Sequence, residues 1–414
     1  MTPRLLAPLL ACAGCLWSNP AFDSAADPQS GSDAATTASP TAATSDPITT
    51  GTTDPPPGWW DDDWKCRRRL PIAGHGAEPL TDVPILLILD PSRVDLATFA
   101  DDGSDLRFVT ADQQPLAHEI ERWDPADRAA LWLHLPALPA AGVDVWMYWC
   151  GPAGLPLDPS AAWPAGFAAV YHLADPLTGG GEPEVRDATL HAHHGRARGG
   201  MTPDRRTASP RGFALDFRGK ADDGAGDFVD LDQGPPLDTD DWSALTVEAW
   251  ALQRERGELR IVCKSPSIDA GEHVFATGLH AYEPADRPYL RVGTDDGFVD
   301  DLDPDGPAIA LDTWFYVALA WDARTATAAL YLDGQPVLSL PLAGGTLRDE
   351  PVAAAIANVN GVGLAAPGND RFWLGLIDEV RIHVVRRSPA WIATQHRSAR
   401  DELVDYTQPD ETLP

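Results

Sequence analysis

Short apolar segments with the pattern of β-strands follow one another along most of this 414-residue chain, and turns rich in glycine, proline and aspartate separate them. Only residues 389–396 have a helical pattern, with Ser388 as the predicted cap and Pro389 at the first position. The pattern therefore predicts an all-β protein of antiparallel sheets. The predicted strands are residues 83–89, 106–109, 129–135, 143–149, 167–173, 213–217, 228–231, 245–251, 260–264, 289–292, 314–321, 328–332 and 372–383.

A proline-rich junction at residues 152–163 divides these strands into two groups. We predict an antiparallel β-sandwich domain over residues 59–152 and a second one over residues 165–398. An acidic tail occupies residues 399–414. A chain of this length has enough residues to build two cores.

The charge of the chain argues against nucleic acid and anionic lipid as partners. It contains 62 acidic and 31 basic side chains, which gives a formal net charge of -31. Because no basic stripe offsets this charge, the chain should repel nucleic acid and anionic lipid. An acidic surface suits calcium, although it also serves solubility.

The first fifteen residues have the order of a secretory signal, with one basic residue, a short apolar run and small residues beside cysteine. The run is too short to span a bilayer as a helix. The segment also resembles a bacterial lipoprotein signal, and Cys12 and Cys15 both fit the lipidated position. We expect an exported protein, held at the outer membrane or cell surface as a lipoprotein, or secreted. A plain secretory signal or a misassigned start codon is the alternative.

Residues 16–58 consist mainly of Ser, Thr, Ala, Asp and Pro, with almost no large apolar side chain. Such a segment has too little apolar surface to offset the entropy lost on ordering. We predict a disordered tether.

Cysteine spacing predicts one disulfide. Cys66 lies in the first predicted strand and Cys150 at the end of the last strand of the first domain, so the two would meet if the terminal strands pair. Two free buried thiols are the alternative. Cys263 lies in an apolar strand and is predicted to be free and buried.

The strand at residues 372–383 carries an unusual carboxylate. Strict alternation places Asp378 on the same face as Leu376, Val380 and Ile382, and places Glu379 on the opposite face. A buried carboxylate must be hydrogen-bonded or bound to a cation. Asp378 is therefore the first indication of a metal.

Four motifs of the first domain carry a family resemblance: Arg-Leu-Pro-Ile at 69–72, Asp-Gly-Ser-Asp-Leu-Arg-Phe at 102–108, Glu-Ile-Glu-Arg-Trp-Asp at 119–124 and Trp-Met-Tyr-Trp-Cys-Gly at 146–151. With them the domain resembles a bacterial domain of unknown function, the family numbered 2341, which commonly precedes laminin-G-like modules in surface proteins. The resemblance covers about residues 59–152 and implies no activity.

Motifs of the second domain occur in the order Gly-Phe-Ala-Leu-Asp-Phe at 212–217, Leu-Thr-Val-Glu-Ala-Trp at 245–250, Leu-Tyr-Leu-Asp-Gly at 330–334 and Gly-Leu-Ile-Asp-Glu-Val-Arg-Ile at 375–382. With these motifs the domain resembles the laminin-G-like, concanavalin A-like jelly rolls of bacterial surface and carbohydrate-active proteins. The resemblance spans about residues 165–396 and implies a two-sheet jelly roll.

That resemblance also implies a structural calcium ion. In similar domains the aspartate of the closing strand meets an early acidic loop, which corresponds to Asp378 and Asp187 here. Calcium takes oxygen ligands, and carbonyl groups near His172 would complete the site. The loop lacks the Gly-Asn step that the family usually has. The alternative is that Asp378 accepts hydrogen bonds from backbone amides only.

Three further polar groups are weighed as sites. One strand carries four polar side chains, His118, Glu119, Glu121 and Asp124. Because successive side chains of a strand point to opposite faces, these groups do not converge, which favours a solvated strand edge over a catalytic set. His191, His193 and His194 offer imidazoles to a transition metal, but a surface loop is the simpler interpretation. Asp222, Asp223 and Asp227 are explained by a turn.

The sequence favours a non-catalytic surface protein that binds glycan or protein. The paired carboxylates of jelly-roll glycosidases are absent from residues 165–396, and the common motifs of nucleophilic and metal hydrolases are absent too. An enzyme, glycosidase or lyase, with a site assembled from distant residues is one alternative, and a structural envelope spacer is another. The candidates for stacking on sugar rings are Trp242, Trp250, Trp314, Trp321 and Trp373, although strand aromatics usually fill the core.

Overall fold

Each segment predicted as a strand overlaps a strand of the computed structural model. The structure describes residues 58–76, 78–154, 157–178, 184–220, 226–233, 237–301, 305–359 and 371–413. All of them lie in one compact unit, Pro55–Pro414. The predicted all-β class is confirmed. The predicted signal, the lipidation residues Cys12 and Cys15 and nearly all of the predicted tether lie outside the described residues.

The first domain contains β1 (Cys66–Ile72), β2 (Leu80–Leu89), β3 (Arg107–Thr110), β4 (Pro115–Leu116), β5 (His118–Trp123), β6 (Ala129–Leu138) and β7 (Val143–Trp149). The second contains β8 (Phe167–Tyr171), β9 (His194–Arg198), β10 (Arg206–Ala208), β11 (Phe213–Arg218), β12 (Phe228–Gln233), β13 (Ala244–Gln253), β14 (Leu259–Lys264), β15 (Phe275–His280), β16 (Arg287–Gly293), β17 (Phe298–Asp301), β18 (Trp314–Asp322), β19 (Thr327–Leu332), β20 (Gln335–Pro341), β21 (Ala354–Ile356) and β22 (Leu374–His383). Helix α1 (Pro389–Ser398) and strand β23 (Asp410–Thr412) follow. Single 3-10 turns lie at Leu96–Thr98, Pro159–Ala162, Pro203–Arg205 and Ala270–Glu272.

The first domain is a sandwich of two antiparallel sheets. One sheet has the order β23-β1-β7-β3-β4 and the other has the order β2-β6-β5. Residues 83–89 of β2 are all buried, on both faces of their sheet. A continuous apolar run, rather than an alternating one, is what a strand buried on both faces requires.

The C-terminal residues complete the first domain, although the sequence predicted only an acidic tail there. β23 pairs antiparallel with β1. Arg67 forms an ion pair with Glu411 and Arg68 with Asp410, each at 2.7 Å. The acidic end of the chain therefore forms a strand because the arginines of β1 offer charges of opposite sign.

The second domain is a two-sheet antiparallel jelly roll. One sheet has the order β10-β11-β22-β13-β18-β19-β20, with β8 also paired to β22, and the other has the order β17-β16-β15-β14-β21-β12-β9. One hydrophobic cluster fills the space between them, with residues such as Val247, Leu319 and Ile377 from the first sheet and Phe275 and Leu290 from the second. The predicted concanavalin A-like architecture is confirmed.

Helix α1 joins the two domains. Ser388 caps it as predicted, because its hydroxyl accepts a hydrogen bond from the Trp391 amide. The hydroxyl of Ser398 accepts one from the Leu86 amide of β2, and Gln395 donates one to the Pro84 carbonyl of β2. None of the described helices is long and apolar enough to cross a membrane.

The outer face of the β22 sheet packs against the first domain. A single hydrophobic cluster includes Leu86 and Trp132 from the first domain together with Trp250, Tyr316 and Trp391 from the second. The two sandwiches therefore share a core instead of being joined only by a linker. This sheet face is not available to a ligand over the area that the first domain covers.

The predicted stacking candidates are mostly core residues. Trp250, Trp321 and Trp373 are buried, and Trp242 and Trp314 are half-buried. Trp321 and Trp373 lie between the two jelly-roll sheets. Their role is packing, as is usual for aromatic residues in strands.

The predicted disulfide is present. Cys66 and Cys150 are bonded, with their Cα atoms 5.4 Å apart, because β1 and β7 are paired neighbours. The bond closes a loop of 84 residues, and such a loop is worth about 4–5 kcal/mol in the chain-entropy model. Cys263 is free and buried, as predicted.

Candidate functional site

Charged side chains from both domains meet in a buried cluster at their junction, which we call the junction cluster. Its central members are Glu119 and Glu121 of β5, His172 directly after β8, and Glu379 and Arg381 of β22. The side chains of Glu121 and Glu379 are each 1% exposed, and that of Arg381 is 4% exposed. Charges buried to this degree must be paired.

Strand alternation in β5 brings two carboxylates to the junction. Glu119 and Glu121 face the second domain, as the ion pairs with His172 show. His118 faces the opposite way, into the first core, where its ring lies 5.1 Å from that of Phe108. Burial lowers the pKa of His118 to about 4. The predicted alternation is confirmed, but the predicted solvated edge is wrong, because the second domain covers this face.

A β-bulge in β22 brings the other acidic residues to the same place. Glu379 has a φ of 52°, a left-handed conformation that residues other than glycine rarely adopt. The pairing of β13 with β22 shifts at this point, from Glu248 opposite Arg381 to Trp250 opposite Asp378. The extra residue shifts the alternation by one position.

The bulge corrects the predicted faces of β22. Ile377, Val380 and Ile382 point into the jelly-roll core. Asp378 therefore shares the outer face with Arg381, not with Val380 and Ile382. Asp378 and Glu379 were predicted on opposite faces, and both instead lie among the buried charges of the junction.

His172 bridges the two domains. Its Nδ1 lies 2.7 Å from Glu379 Oε1 and 3.8 Å from Glu121 Oε2, and its Nε2 lies 3.1 Å from Glu119 Oε2. Its ring stacks on that of Trp132 at 6.1 Å. Burial opposes a charge on this imidazole, but the neighbouring carboxylates of Glu379 and Glu119 outweigh burial and raise its pKa well above the usual range.

Arg381 supplies the permanent positive charge. It donates hydrogen bonds to Glu379 at 2.7 Å and to Gln395 of α1 at 2.9 Å. Its guanidinium lies over the rings of Trp132 at 4.1 Å and Trp163 at 5.1 Å. Although burial opposes the charge of Glu379, His172 and Arg381 lower its pKa to about 2.

A second layer of polar contacts surrounds Glu248 of β13. Its carboxylate lies 3.1 Å from His383 Nε2 and 3.7 Å from Arg381, and it accepts a hydrogen bond from the Tyr316 hydroxyl. Burial lowers the pKa of His383 to about 4, so this imidazole is neutral near pH 7. The adjoining void is too small to admit a water molecule.

Asp378 is held by an arginine and a serine. Its Oδ2 accepts hydrogen bonds from Arg211 at 2.8 Å and Ser209 at 2.7 Å. Its Oδ1 is buried and has no hydrogen-bond partner. Burial, opposed by Arg211 and reinforced by Glu379, raises the pKa of Asp378 to about 6.

Asp187 organises its own loop. Its carboxylate accepts hydrogen bonds from the amides of Val170, Thr189 and His193 at 2.9–3.0 Å, and from the Thr189 hydroxyl at 2.8 Å. Four donors occupy its two oxygens. The loop lies on one edge of β8, whereas β22 with Asp378 lies on the other edge. The two carboxylates are therefore held by different protein donors on opposite edges of β8, and the predicted calcium ion at Asp378 and Asp187 stays a prediction.

The other polar groups considered in the sequence have stacking, hydrogen-bonding or ionic contacts where the structure describes them. The rings of His191 and His193 stack at 5.7 Å, and His194 Nδ1 accepts a hydrogen bond from the Asp187 amide. Asp227 is paired with Arg218 at 2.7 Å. Asp222 and Asp223 lie outside the described residues.

Within the described ranges, one group of three metal-ligating side chains brings its ligand atoms within 4.8 Å of one another, and it consists of Glu121, His172 and Glu379. Burial and the nearby Glu379 raise the pKa of Glu121 well above its usual range. Nothing in the sequence indicated that Glu121 and Glu379 lie close together. The one signal of a site was His172, a polar residue directly after an entirely apolar strand.

Two family models match the chain, in the order that the resemblances implied. A domain of unknown function, DUF2341, matches residues 102–156. The concanavalin A-like lectin/glucanases superfamily matches residues 223–393. Glu119 and Glu121 of the junction cluster lie in the first matched range, and Glu379 and Arg381 lie in the second. No curated protein matches the chain.

Solved structures share parts of the fold at low identity. Domain 4 of the extracellular GH43 arabinanase AbnA from Geobacillus stearothermophilus, solved with arabinotriose, is 16% identical; the alignment covers 56% of this chain and 98% of that one, with a TM-score of 0.39. A heptameric SAP-like pentraxin from Limulus polyphemus is 15% identical over 46% of this chain and 84% of that one, with a TM-score of 0.34. The binding domain of botulinum neurotoxin DC, solved with SialylT, is 10% identical over 56% and 52%, with a TM-score of 0.36.

Removing the charge of Arg381 should destabilise the whole protein. Arg381→Met keeps an apolar stem against Trp132 and Trp163 but leaves the neighbouring carboxylates without their guanidinium. Breaking a buried pair in this way costs about 3–5 kcal/mol. Urea unfolding of the full chain measures the change. The control is Arg324→Met, because the Arg324 side chain is 87% exposed. A loss below about 1 kcal/mol for Arg381→Met would show that the junction cluster contributes little to stability.

Proposed function

We propose that this chain is a non-catalytic, exported surface protein that binds an acidic or hydroxyl-rich glycan. The ligand would lie in a cleft at the seam between the domains, and the first domain would act as a fixed wall of the site. The junction cluster holds the wall in place. The concanavalin A-like architecture agrees with a binding module, but the proposal depends on the cleft.

The cleft has the size and polarity of a small-ligand site. Its volume is about 620 Å³, and ligand pockets are typically about 300–1,000 Å³. It is lined by residues of both domains and of the segment after α1, which include Arg93, Arg122, Arg128, Ser209 and Arg400. Guanidinium groups are suited to the carboxylates of acidic sugars, because they form charge-assisted hydrogen bonds with them.

Acidic residues in the same cleft hold two of these arginines in place. Arg93 is paired with Asp401, and Arg122 is paired with Asp127. Oriented carboxylates also accept hydrogen bonds from sugar hydroxyls. The lining therefore offers donors and acceptors that need little rearrangement, which lowers the cost of binding.

The burial of the junction cluster supports a non-catalytic role. His172 and the carboxylates beside it are the strongest acid–base set in the described residues, but each is paired with another charge of the cluster. A general acid or base must come within hydrogen-bond reach of its substrate. A substrate would have to separate the domains to reach a proton donor or acceptor of the junction cluster.

A glycan array with the full chain tests the proposed ligand class. We expect binding to uronate-containing or other acidic glycans, and at least a tenfold loss of affinity for Arg128→Ala, because that variant removes one guanidinium from the cleft wall. Arg324→Ala, at an exposed turn, should bind like the unchanged protein. Binding that Arg128→Ala leaves unaltered would contradict the cleft. The absence of any glycan ligand would favour a protein partner or a spacer, and turnover of a bound glycan would favour an enzyme.

The proposal includes export as a lipoprotein, supported by the apolar run before Cys12 and Cys15 in the sequence. Cell fractionation in a bacterial host should place the chain in the membrane fraction, and the double substitution Cys12→Ser with Cys15→Ser should release it from that fraction. Retention in the cytoplasm would contradict export, and a soluble exported product of the unchanged chain would contradict the anchor.

A further inference from the structure

We propose that Glu121, His172 and Glu379 bind one divalent transition-metal ion, most suitably Zn²⁺, which links the first domain to the second. The ligand atoms are a carboxylate oxygen from each glutamate and Nδ1 of His172, all within 4.8 Å of one another. Glu121 comes from β5 of the first domain. His172 and Glu379 come from β8 and β22 of the second. This site differs in residues and in metal from the calcium site that the sequence predicted.

Each proposed ligand is oriented by a neighbouring group. His172 Nε2 lies 3.1 Å from Glu119 Oε2, so Nε2 donates to that carboxylate while Nδ1, once it has lost its proton to the incoming metal, offers a lone pair on the side of the other two ligands. A metal-binding histidine usually donates its second N–H group to a carboxylate in this manner. The contact belongs to an outer shell and not to the ligand set itself.

The two glutamates are also held by hydrogen bonds. The indole N–H of Trp132 donates at 3.0 Å to Glu121 Oε2, the oxygen that faces His172, and the Phe213 amide donates to Glu121 Oε1 at 3.3 Å. Arg381 donates to Glu379 Oε2 at 2.7 Å, which leaves Oε1 directed at His172. Outer contacts of this kind reduce the rearrangement that metal binding requires.

The local charge favours a cation. Five carboxylates meet at the junction, and the two guanidinium groups of Arg211 and Arg381 are their permanent counter-charges; the carboxylates belong to Glu119, Glu121, Glu248, Asp378 and Glu379. Asp378 precedes Glu379 directly, and its buried Oδ1 has no hydrogen-bond partner. A divalent ion would add positive charge where acidic groups are in excess.

The ligand types select the metal. An imidazole nitrogen with two carboxylates suits zinc and neighbouring transition metals, whereas calcium prefers oxygen ligands alone. Because the cluster is closed to solvent, the ion would be structural and would enter during folding. In the metal-bound state, the ion takes the place of the Nδ1 proton that His172 otherwise directs at Glu379.

Metal analysis of the full chain tests this site. The chain is expressed without a histidine tag, purified without chelator and analysed by inductively coupled plasma mass spectrometry. We expect about one zinc ion per chain, and background levels for His172→Gln and for Glu121→Gln. His191→Gln, which alters a histidine of the loop after β8, should keep its zinc.

A second measurement uses only the unchanged chain, so it does not depend on whether a variant folds. Protein unfolded in chelator and refolded with Co²⁺ should show the visible absorption of a cobalt ion with nitrogen and oxygen ligands, and Ca²⁺ in excess should not remove it. Zinc at background in the purified chain, together with no cobalt absorption after refolding, would overturn the proposal. If the His172→Gln variant still binds cobalt or zinc, the metal lies elsewhere, and that result would also overturn the proposal. Metal content and cobalt absorption report on the metal site, whereas the glycan array with Arg128→Ala reports on the cleft, so the two proposals fail separately.

Discussion

The contact of His172 with Glu119 on one side and Glu379 on the other is the interaction on which the arrangement of the two domains depends. At this contact a histidine of the second domain pairs with one carboxylate from each domain. Moving such charges out of water costs several kcal/mol for each ion, so the cluster is stable only while every member keeps its partner. Charge pairing thus specifies the geometry of the junction, and the shared apolar core supplies most of the energy.

Three further features point to the same arrangement. Helix α1 belongs to the second half of the chain but bonds to β2 of the first domain. Strand β23, at the end of the chain, completes the sheet of the first domain. The disulfide between Cys66 and Cys150 joins β1, which pairs with β23, to its other neighbour β7. The chain therefore leaves the first domain, builds the second and returns, so that the first sandwich is complete only with residues from the end of the chain.

Much of the fold could be predicted from the sequence because its signals are local. Apolar runs marked the strands, Ser388 and Pro389 marked α1, and the positions of the cysteines in terminal strands marked the disulfide. The junction cluster could not be predicted in this way. Its central members are separated by up to 262 residues, from Glu119 to Arg381, and the bulge at Glu379 lacks the glycine that usually marks a left-handed residue. Alternation read without that bulge placed Asp378 on the wrong face of β22, together with Val380 and Ile382.

Native-state hydrogen exchange tests most directly the claim that the two sandwiches form one cooperative unit. Peptides from β6 of the first domain and β13 of the second would be followed by mass spectrometry as denaturant is raised. The account predicts that their most protected amides exchange with the same free energy of opening, because breaking the junction exposes both cores together. Exchange of β6 at a clearly lower free energy, with β13 still protected, would show that the domains unfold independently and would contradict the account.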